Sequence, residues 1–266
     1  MKLQNIFANK SPGGARCRMA ALAAGLLLIP VLAVNSQTSA VTFQSSGKQT
    51  SLVELFTSEG CSSCPPAEAW LSRQKDAAGL WKDFVPVAFH VDYWDHLGWR
   101  DPWASKEFSD RQQNYAQVWG NGSIYTPGFV CDGREWRGWS GRRDVPRSEA
   151  KAGVLTVSST NRVRWQVSFS PAMSGERYEV RAALLASGLS SDVKAGENSG
   201  RRLNHDFVAV SLVKVPLKKQ GAAFEGECVL TPDWKTGGRL ALAVWVVKAG
   251  QPESVQAVGG WLPPPK

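Results

Sequence analysis

The 266-residue sequence predicts an α/β domain followed by a small all-β domain of antiparallel, sandwich-like form. Three observations carry that expectation. Between residues 51 and 91 an apolar strand-like run, a helical stretch and a second apolar run follow one another, the order of a parallel crossover. Near residue 130 a short apolar run meets Asp132-Gly133, a hairpin turn signal. Beyond residue 150 the texture changes to short segments that alternate with period two. With 43% hydrophobic residues the chain is long enough for two cores. The expected organisation is a signal over 1–40, a flexible arm over 41–50, the first domain over 51–147 and the β domain over 148–266.

The first forty residues have the three parts of an export signal. A basic segment runs to Arg18, an apolar core spans Met19 to Val34, and small residues close it at Thr38-Ser39-Ala40. Cleavage is expected after Ala40, the alternative being an uncleaved membrane anchor; no further stretch is apolar enough to span a membrane, and the expected compartment is periplasmic or secreted and disulfide-permitting. Cys17 leaves with the signal. The formal charge of +8 also changes meaning, because Lys2, Lys10, Arg16 and Arg18 lie in this segment, which has no acidic residue. The remaining 27 basic against 23 acidic residues are dispersed, which argues against a nucleic-acid partner.

Thr42 to Thr50 is polar and reads as an arm. Leu52, Val53, Leu55 and Phe56 form the first buried strand, broken by Ser58-Glu59-Gly60 just before Cys61 and Cys64. Pro65 and Pro66 suit a first helical turn, where the amide hydrogens have no intrahelical partner, so the cysteine pair opens a helix that runs on through Ala67 to Leu80. Amide donors and the dipole at that end favour a thiolate. Cys61 is therefore the expected nucleophile and Cys64, three residues deeper, the resolving thiol. Glu59 opposes the thiolate if its carboxylate points inward.

Strand, Cys61-Ser62-Ser63-Cys64 and helix together resemble the thioredoxin-like superfamily, and most closely a secreted thioredoxin-like family of unknown function. Tyr125-Thr126-Pro127, followed by Gly128 to Gly133, resembles the cis-proline loop and the strand and turn after it. The resemblance covers about residues 50 to 140 and makes the first domain thioredoxin-like. It implies that Pro127 sits beside the cysteines and that the backbone of Thr126 is offered to a substrate peptide.

Phe84 to Val91 reads as a central strand with Pro86 at its start or edge. Asp92 to Trp103 holds three tryptophans, and Trp94, Trp99 and Trp103 either line a substrate groove beside Cys61 or close the core under a loop. Ser105 to Val118 reads as a helix with Phe108, Tyr115 and Val118 inward and Arg111, Gln112 and Gln113 toward solvent. Phe129 to Cys131 and Glu135 to Trp139 form the hairpin, with Trp136 and Trp139 on the sheet, and residues 140–150 form a linker. The β domain places strands at Val163–Phe169, Tyr178–Leu185, Phe207–Val215, Ala222–Leu230, Leu240–Val247 and Ser254–Trp261. Gly196 to His205 is either a binding loop or a connection. Cys131 and Cys228 are either disulfide partners or two buried thiols.

The function expected is an exported thiol-disulfide oxidoreductase using Cys61 and Cys64, with Thr126, Pro127 and Trp94 as substrate-binding residues. It needs no cofactor beyond the redox-active disulfide. Its partners are protein thiols or disulfides and a redox protein that recharges the pair. Ser62-Ser63 departs from the dipeptides of characterised relatives, so redox direction stays open. Two alternatives use the same pair. One is a copper or zinc chaperone binding through Cys61, Cys64, His90 and His96; the other is a binding module in which the pair forms a static disulfide.

Overall fold

The structure is a computed structural model that describes residues 40–141, 143–173, 177–235 and 238–264. The signal expectation, with Cys17, lies outside these residues apart from Ala40. Fifteen strands and two α-helices follow in chain order among the described residues. The first part runs β1 (Val41–Gln44), β2 (Ser51–Thr57), α1 (Pro65–Arg73), β3 (Phe84–His90), α2 (Lys106–Val118), β4 (Gly128–Cys131) and β5 (Arg134–Glu135). The second runs β6 (Gly153–Ser159), β7 (Arg164–Pro171), β8 (Tyr178–Ser187), β9 (Leu189–Asp192), β10 (Arg202–His205), β11 (Val208–Pro216), β12 (Lys218–Gln220), β13 (Ala223–Val229), β14 (Arg239–Lys248) and β15 (Ser254–Trp261).

These strands form three sheets. A mixed eight-stranded sheet has the order β15-β14-β8-β11-β3-β2-β4-β5, a five-stranded antiparallel sheet the order β1-β6-β7-β13-β12, and β9 and β10 pair as a ribbon. This corrects the expected fold class. The chain is mostly β, not an α/β thioredoxin-like domain with a separate β-sandwich behind it. The parallel pairing of β2 with β3 around α1 is as expected. The outer edge of β3, however, is taken by β11 from the second half, which begins parallel to it with Val208 opposite Ala88.

The physical reason lies in β8 and β14. Both are buried along nearly their whole length, so they are not half-exposed sandwich strands. Ala183, Leu185, Ala241, Ala243 and Trp245 pack into one core with Leu52, Phe56, Phe89 and Trp70. Their neighbours Ala182, Leu184, Leu242 and Val244 pack into a second core with Leu155, Trp165 and Phe169 of the five-stranded sheet. A strand apolar on both faces needs cover on both, which a two-layer sandwich cannot provide. The described residues accordingly make one compact unit. The large sheet curls far enough for β15 to reach the start of β2, where Gln256 Oε1 accepts from Thr50 N at 2.8 Å.

Several elements differ locally from expectation. Thr42 to Gln44, expected in an arm, pair with β6 as part of β1. The helix after the cysteines ends at Arg73 and passes through a 3₁₀ turn at Gln74–Asp76 instead of running to Leu80. Pro86 lies in the middle of the β2/β3 pairing, opposite Val53. α2 begins where expected, with the Ser105 hydroxyl accepting from Glu107 N. Its Arg111 and Gln112 are buried, because buried Glu54 on β2 draws the guanidinium inward, with Arg111 Nε 2.6 Å from Glu54 Oε1. Trp136 and Trp139 pack around Phe129, as expected. Asp132 and Gly133 take positive φ in the hairpin turn. Cys131 and Cys228 are free, buried thiols in different cores.

Candidate functional site

β2 ends at Thr57, and the chain turns through Ser58-Glu59-Gly60 into the cysteine pair. Gly60 is required by close approach, since a Cβ there would stand 2.8 Å from Trp94 Cβ. Cys64 caps α1 with Pro65 and Pro66 in the first turn, so the pair opens the helix as the prolines imply. Both sulfurs are buried, Cys61 at 1% and Cys64 at 0% exposure.

The two thiols are in unequal environments. Cys61 is held down to about 6 by a hydrogen bond from Cys64, against the opposing effect of burial, with help from the hydroxyls of Ser63 and Thr126. Its Sγ lies 3.3 Å from Ser63 Oγ. Cys64 is pushed far above the ordinary thiol range, first by burial and then by donating to Cys61. Trp94 Nε1 donates to Thr126 Oγ1 at 2.8 Å, which leaves the Thr126 hydroxyl hydrogen for sulfur. Trp94, Thr126 and Pro127 are all half-buried beside the pair, and Thr126-Pro127 is cis. Trp99 also adjoins the motif. Trp103 instead packs against the second core.

Behind the motif lies a buried charged cluster. Glu59 turns away from the sulfurs: its Oε2 accepts from Trp99 Nε1 at 2.6 Å and its Oε1 is 2.9 Å from His205 Nε2. His205 Nδ1 meets Glu68 Oε2, and Glu68 Oε1 accepts from Thr57 Oγ1 at 2.6 Å. His90 Nδ1 is 2.7 Å from Asp101 Oδ2, which also accepts from Glu59 N at 2.9 Å. Burial works to lower His205, but its two carboxylate neighbours Glu59 and Glu68 win and raise it to about 10. Burial works to raise Glu68, and His205 brings it below the usual carboxylate range.

The segment between β9 and β10 covers the motif from outside. Ser62 N and Ser62 Oγ both donate to Glu197 Oε2, at 2.9 and 2.7 Å. Asn198 Nδ2 donates to the carbonyls of Glu59 and Cys61, each at 2.9 Å, while its Oδ1 accepts from Arg201 Nη1 and so fixes the amide orientation. An open cleft of about 550 Å³ exists elsewhere, at the far end of β2 against Ser51, Cys131 and Asp132. It does not reach the Cys61–Cys64 pair.

The structure therefore brings Cys61, Cys64, Thr126 and Trp94 together, with Pro127 joined to Thr126 by a cis bond. It does not group the alternative metal set: His96 is exposed with Nδ1 on Tyr93 O, and His90 faces Glu68 and His205. Sequence reasoning missed Glu68 and Asp101, and it marked Asn198 and His205 only as members of the Gly196 to His205 stretch. The one available signal was a carboxylate four residues after Cys64, between inward-facing Ala67 and Trp70. The Gly196 to His205 stretch is a connection in chain order, yet it supplies the motif's cover.

A family described as protein of unknown function, DUF1223, matches residues 52–247. No curated protein matches the chain. Among solved structures, protein AGR_C_4864 from Agrobacterium tumefaciens is similar over 81% of this chain and 95% of its own, with a TM-score of 0.59 and 23% identity. HBP35 of Porphyromonas gingivalis is similar over 82% of this chain and 76% of its own, with a TM-score of 0.53 and 12% identity. At these identities the likeness is one of fold.

Proposed function

This chain belongs to the DUF1223 family of proteins of unknown function, and from that premise we propose that it is an exported thiol-disulfide oxidoreductase working through Cys61 and Cys64. The supporting observation is the unequal pair: Cys61 is about 6 while Cys64 beside it keeps its proton. A thiolate is the attacking species in exchange, and a protonated neighbour one helical step deeper is poised to resolve. The resemblance to the thioredoxin-like superfamily enters this reading through the local arrangement of cysteine pair, helix start and Thr126-Pro127, not through the architecture of the whole chain.

In the reducing direction the Cys61 thiolate attacks one sulfur of a substrate disulfide. That S–S bond breaks, a Cys61–substrate disulfide forms, and the other substrate sulfur leaves as a thiolate. Cys64 then gives up its proton and attacks Cys61 Sγ, closing the Cys61–Cys64 disulfide and expelling the second substrate thiolate. The substrate gains two electrons and two protons, one from Cys64 and one from solvent, and the pair loses two electrons. A partner dithiol protein restores the reduced pair, and the reverse sequence oxidises substrate. Thr126 and Trp94 orient donors toward Cys61, and the Glu197-Asn198 cover must lift for a protein substrate to reach it. The basic, apolar and small-residue order of the first forty residues supports an exported compartment. No helix of the described residues is long and apolar enough to cross a membrane.

A glutathione redox titration of the mature chain, with alkylation and mass mapping, tests the reading. Cys61 and Cys64 are expected to exchange together at a potential between roughly −120 and −270 mV. Cys61→Ser is expected to abolish insulin reduction and oxidative refolding; retained activity, or a pair that stays oxidised throughout, refutes the proposal.

A further inference from the structure

We propose that Glu68, His90 and His205 form a binding site for one divalent transition-metal ion of the Zn²⁺ class, separate from the cysteine pair. One ligand atom from each lies within 4.8 Å of the other two, and all three residues are buried. They come from three elements far apart in sequence, Glu68 from α1, His90 from the end of β3 and His205 from the end of β10.

His90 carries the argument. It is 0% exposed, its Nδ1 is bound to Asp101, and its Nε2 has no hydrogen-bond partner among the described residues. A fully buried imidazole nitrogen without a partner is costly and calls for a ligand. With the proton of His90 on Nδ1, Nε2 presents a lone pair. Neighbouring His205 also gives Nε2 to a carboxylate, Glu59, but its Nδ1 is hydrogen-bonded to Glu68 Oε2, so the ion takes the place of the proton between them. Metal-binding histidines characteristically give one nitrogen to a carboxylate, which sets the tautomer and aims the other. The third donor is supported as well, since Thr57 Oγ1 donates to Glu68 Oε1 and leaves Oε2 for the ion.

The chemistry selects the ion. Two imidazoles and a carboxylate suit Zn²⁺ and its first-row neighbours better than oxygen-seeking Ca²⁺ or Mg²⁺. Tetrahedral bonds of about 2.0–2.2 Å hold ligand atoms about 3.3–3.6 Å apart, so loading separates His205 Nδ1 from Glu68 Oε2, which are now hydrogen-bonded. The site also places positive charge among the buried carboxylates of Glu59, Glu68 and Asp101. When the ion enters, the proton between His205 Nδ1 and Glu68 Oε2 leaves for solvent. The proposal stands independently of whether the cysteines exchange disulfides.

The test uses the full mature chain, treated with chelator and titrated with Zn²⁺ and with Co²⁺ as a spectroscopic probe. One equivalent of Zn²⁺ is expected, with Co²⁺ giving visible d–d bands and no thiolate-to-metal charge-transfer band near the ultraviolet. Cys61→Ser/Cys64→Ser is expected to bind equally well, and His90→Ala at least tenfold more weakly. A charge-transfer band abolished in the double cysteine variant would assign the ion to the thiols and overturn the proposal. So would the absence of stoichiometric binding by the folded wild-type chain, or unchanged affinity in a folded His90→Ala chain. Should His90→Ala not fold, the wild-type Co²⁺ spectrum decides alone.

Discussion

Ser62 and Glu197 stand 135 positions apart, yet both the amide and the hydroxyl of Ser62 donate to one oxygen of the Glu197 carboxylate. One of the two residues between the cysteines is thereby tied to the loop before β10, and the thiols are enclosed by the far half of the chain. This contact turns a local motif into a closed site, and it makes the cover testable.

Loosening the cover is expected to expose Cys61. In Asn198→Ala two amide hydrogen bonds to buried carbonyls are lost, at a cost of about 2–4 kcal/mol. Iodoacetamide should label Cys61 at least tenfold faster than in wild type at pH 7, measured by mass mapping. The Glu197 carboxyl is held below its usual range, first by the Ser62 amide and then by its hydroxyl. Its contact is thus present above the ordinary carboxylate value and lost only as pH falls through the lower folded value. Glu197→Gln should weaken the cover at neutral pH, so that the fall in labelling on acidification follows the Cys61 titration near pH 6 alone.

The thiolate of Cys61 should appear with a midpoint near pH 6 in ultraviolet absorbance of the reduced chain. Cys64→Ala removes the leading donor, so the midpoint is expected to move up toward the ordinary thiol value of 9.0. The sign for stability follows. A folded value below the unfolded one adds stability that is full above the unfolded value and disappears as pH falls through about 6. Because His205, raised to about 10, loses stability over the same range above 6.5, the Cys61 gain from pH 6 toward pH 9 is read as the difference between the reduced wild-type chain and Cys61→Ser by differential scanning calorimetry. Cys64, raised by burial, reverses the trend above pH 9.

Trp94 acts on sulfur through Thr126. Trp94→Phe keeps an aromatic ring over Gly60 but removes the N–H that holds the Thr126 oxygen. Thr126→Val removes the hydroxyl itself. Both should raise the Cys61 midpoint, Thr126→Val by more, and slow labelling at pH 6.5. Equal midpoints in wild type and Thr126→Val would show that the hydroxyl does not reach the thiolate.

Stability of the shared core rests in part on Arg111. Its guanidinium bonds Glu54 and Tyr115 and stacks 5.1 Å from the Trp245 ring of β14. Removing one partner of a buried ion pair costs about 3–5 kcal/mol, because the other charge stays buried without compensation. Arg111→Ala is expected to lower denaturant stability by that amount. Replacing Glu54 and Arg111 together with apolar residues should restore much of it.

The order of strand, cysteine pair, proline-started helix and hairpin could be read in residues, because each depends on a local signal. Gly60, Pro65, Pro66 and Asp132-Gly133 act through their own backbone geometry. Most β strands of the second half were likewise legible from their apolar runs. The separation into two domains was not, because period and hydrophobicity describe one strand's faces and say nothing of which edge it will join. Arg111 illustrates the limit. Its place on α2 reads as solvent-facing until Glu54 is known to lie behind it.

The sequence by itself determined where the cysteine pair lies, at the start of a helix opened by Pro65 and Pro66, since prolines suit a first helical turn. Only the tertiary structure decided that β11 completes the sheet beside β3, that Asn198 and Glu197 close over the motif, and that Glu68, His90 and His205 converge beneath it. The physical reason is desolvation. A buried carboxylate or imidazole must find its partner wherever the fold brings one, and those partners come from segments more than a hundred residues apart.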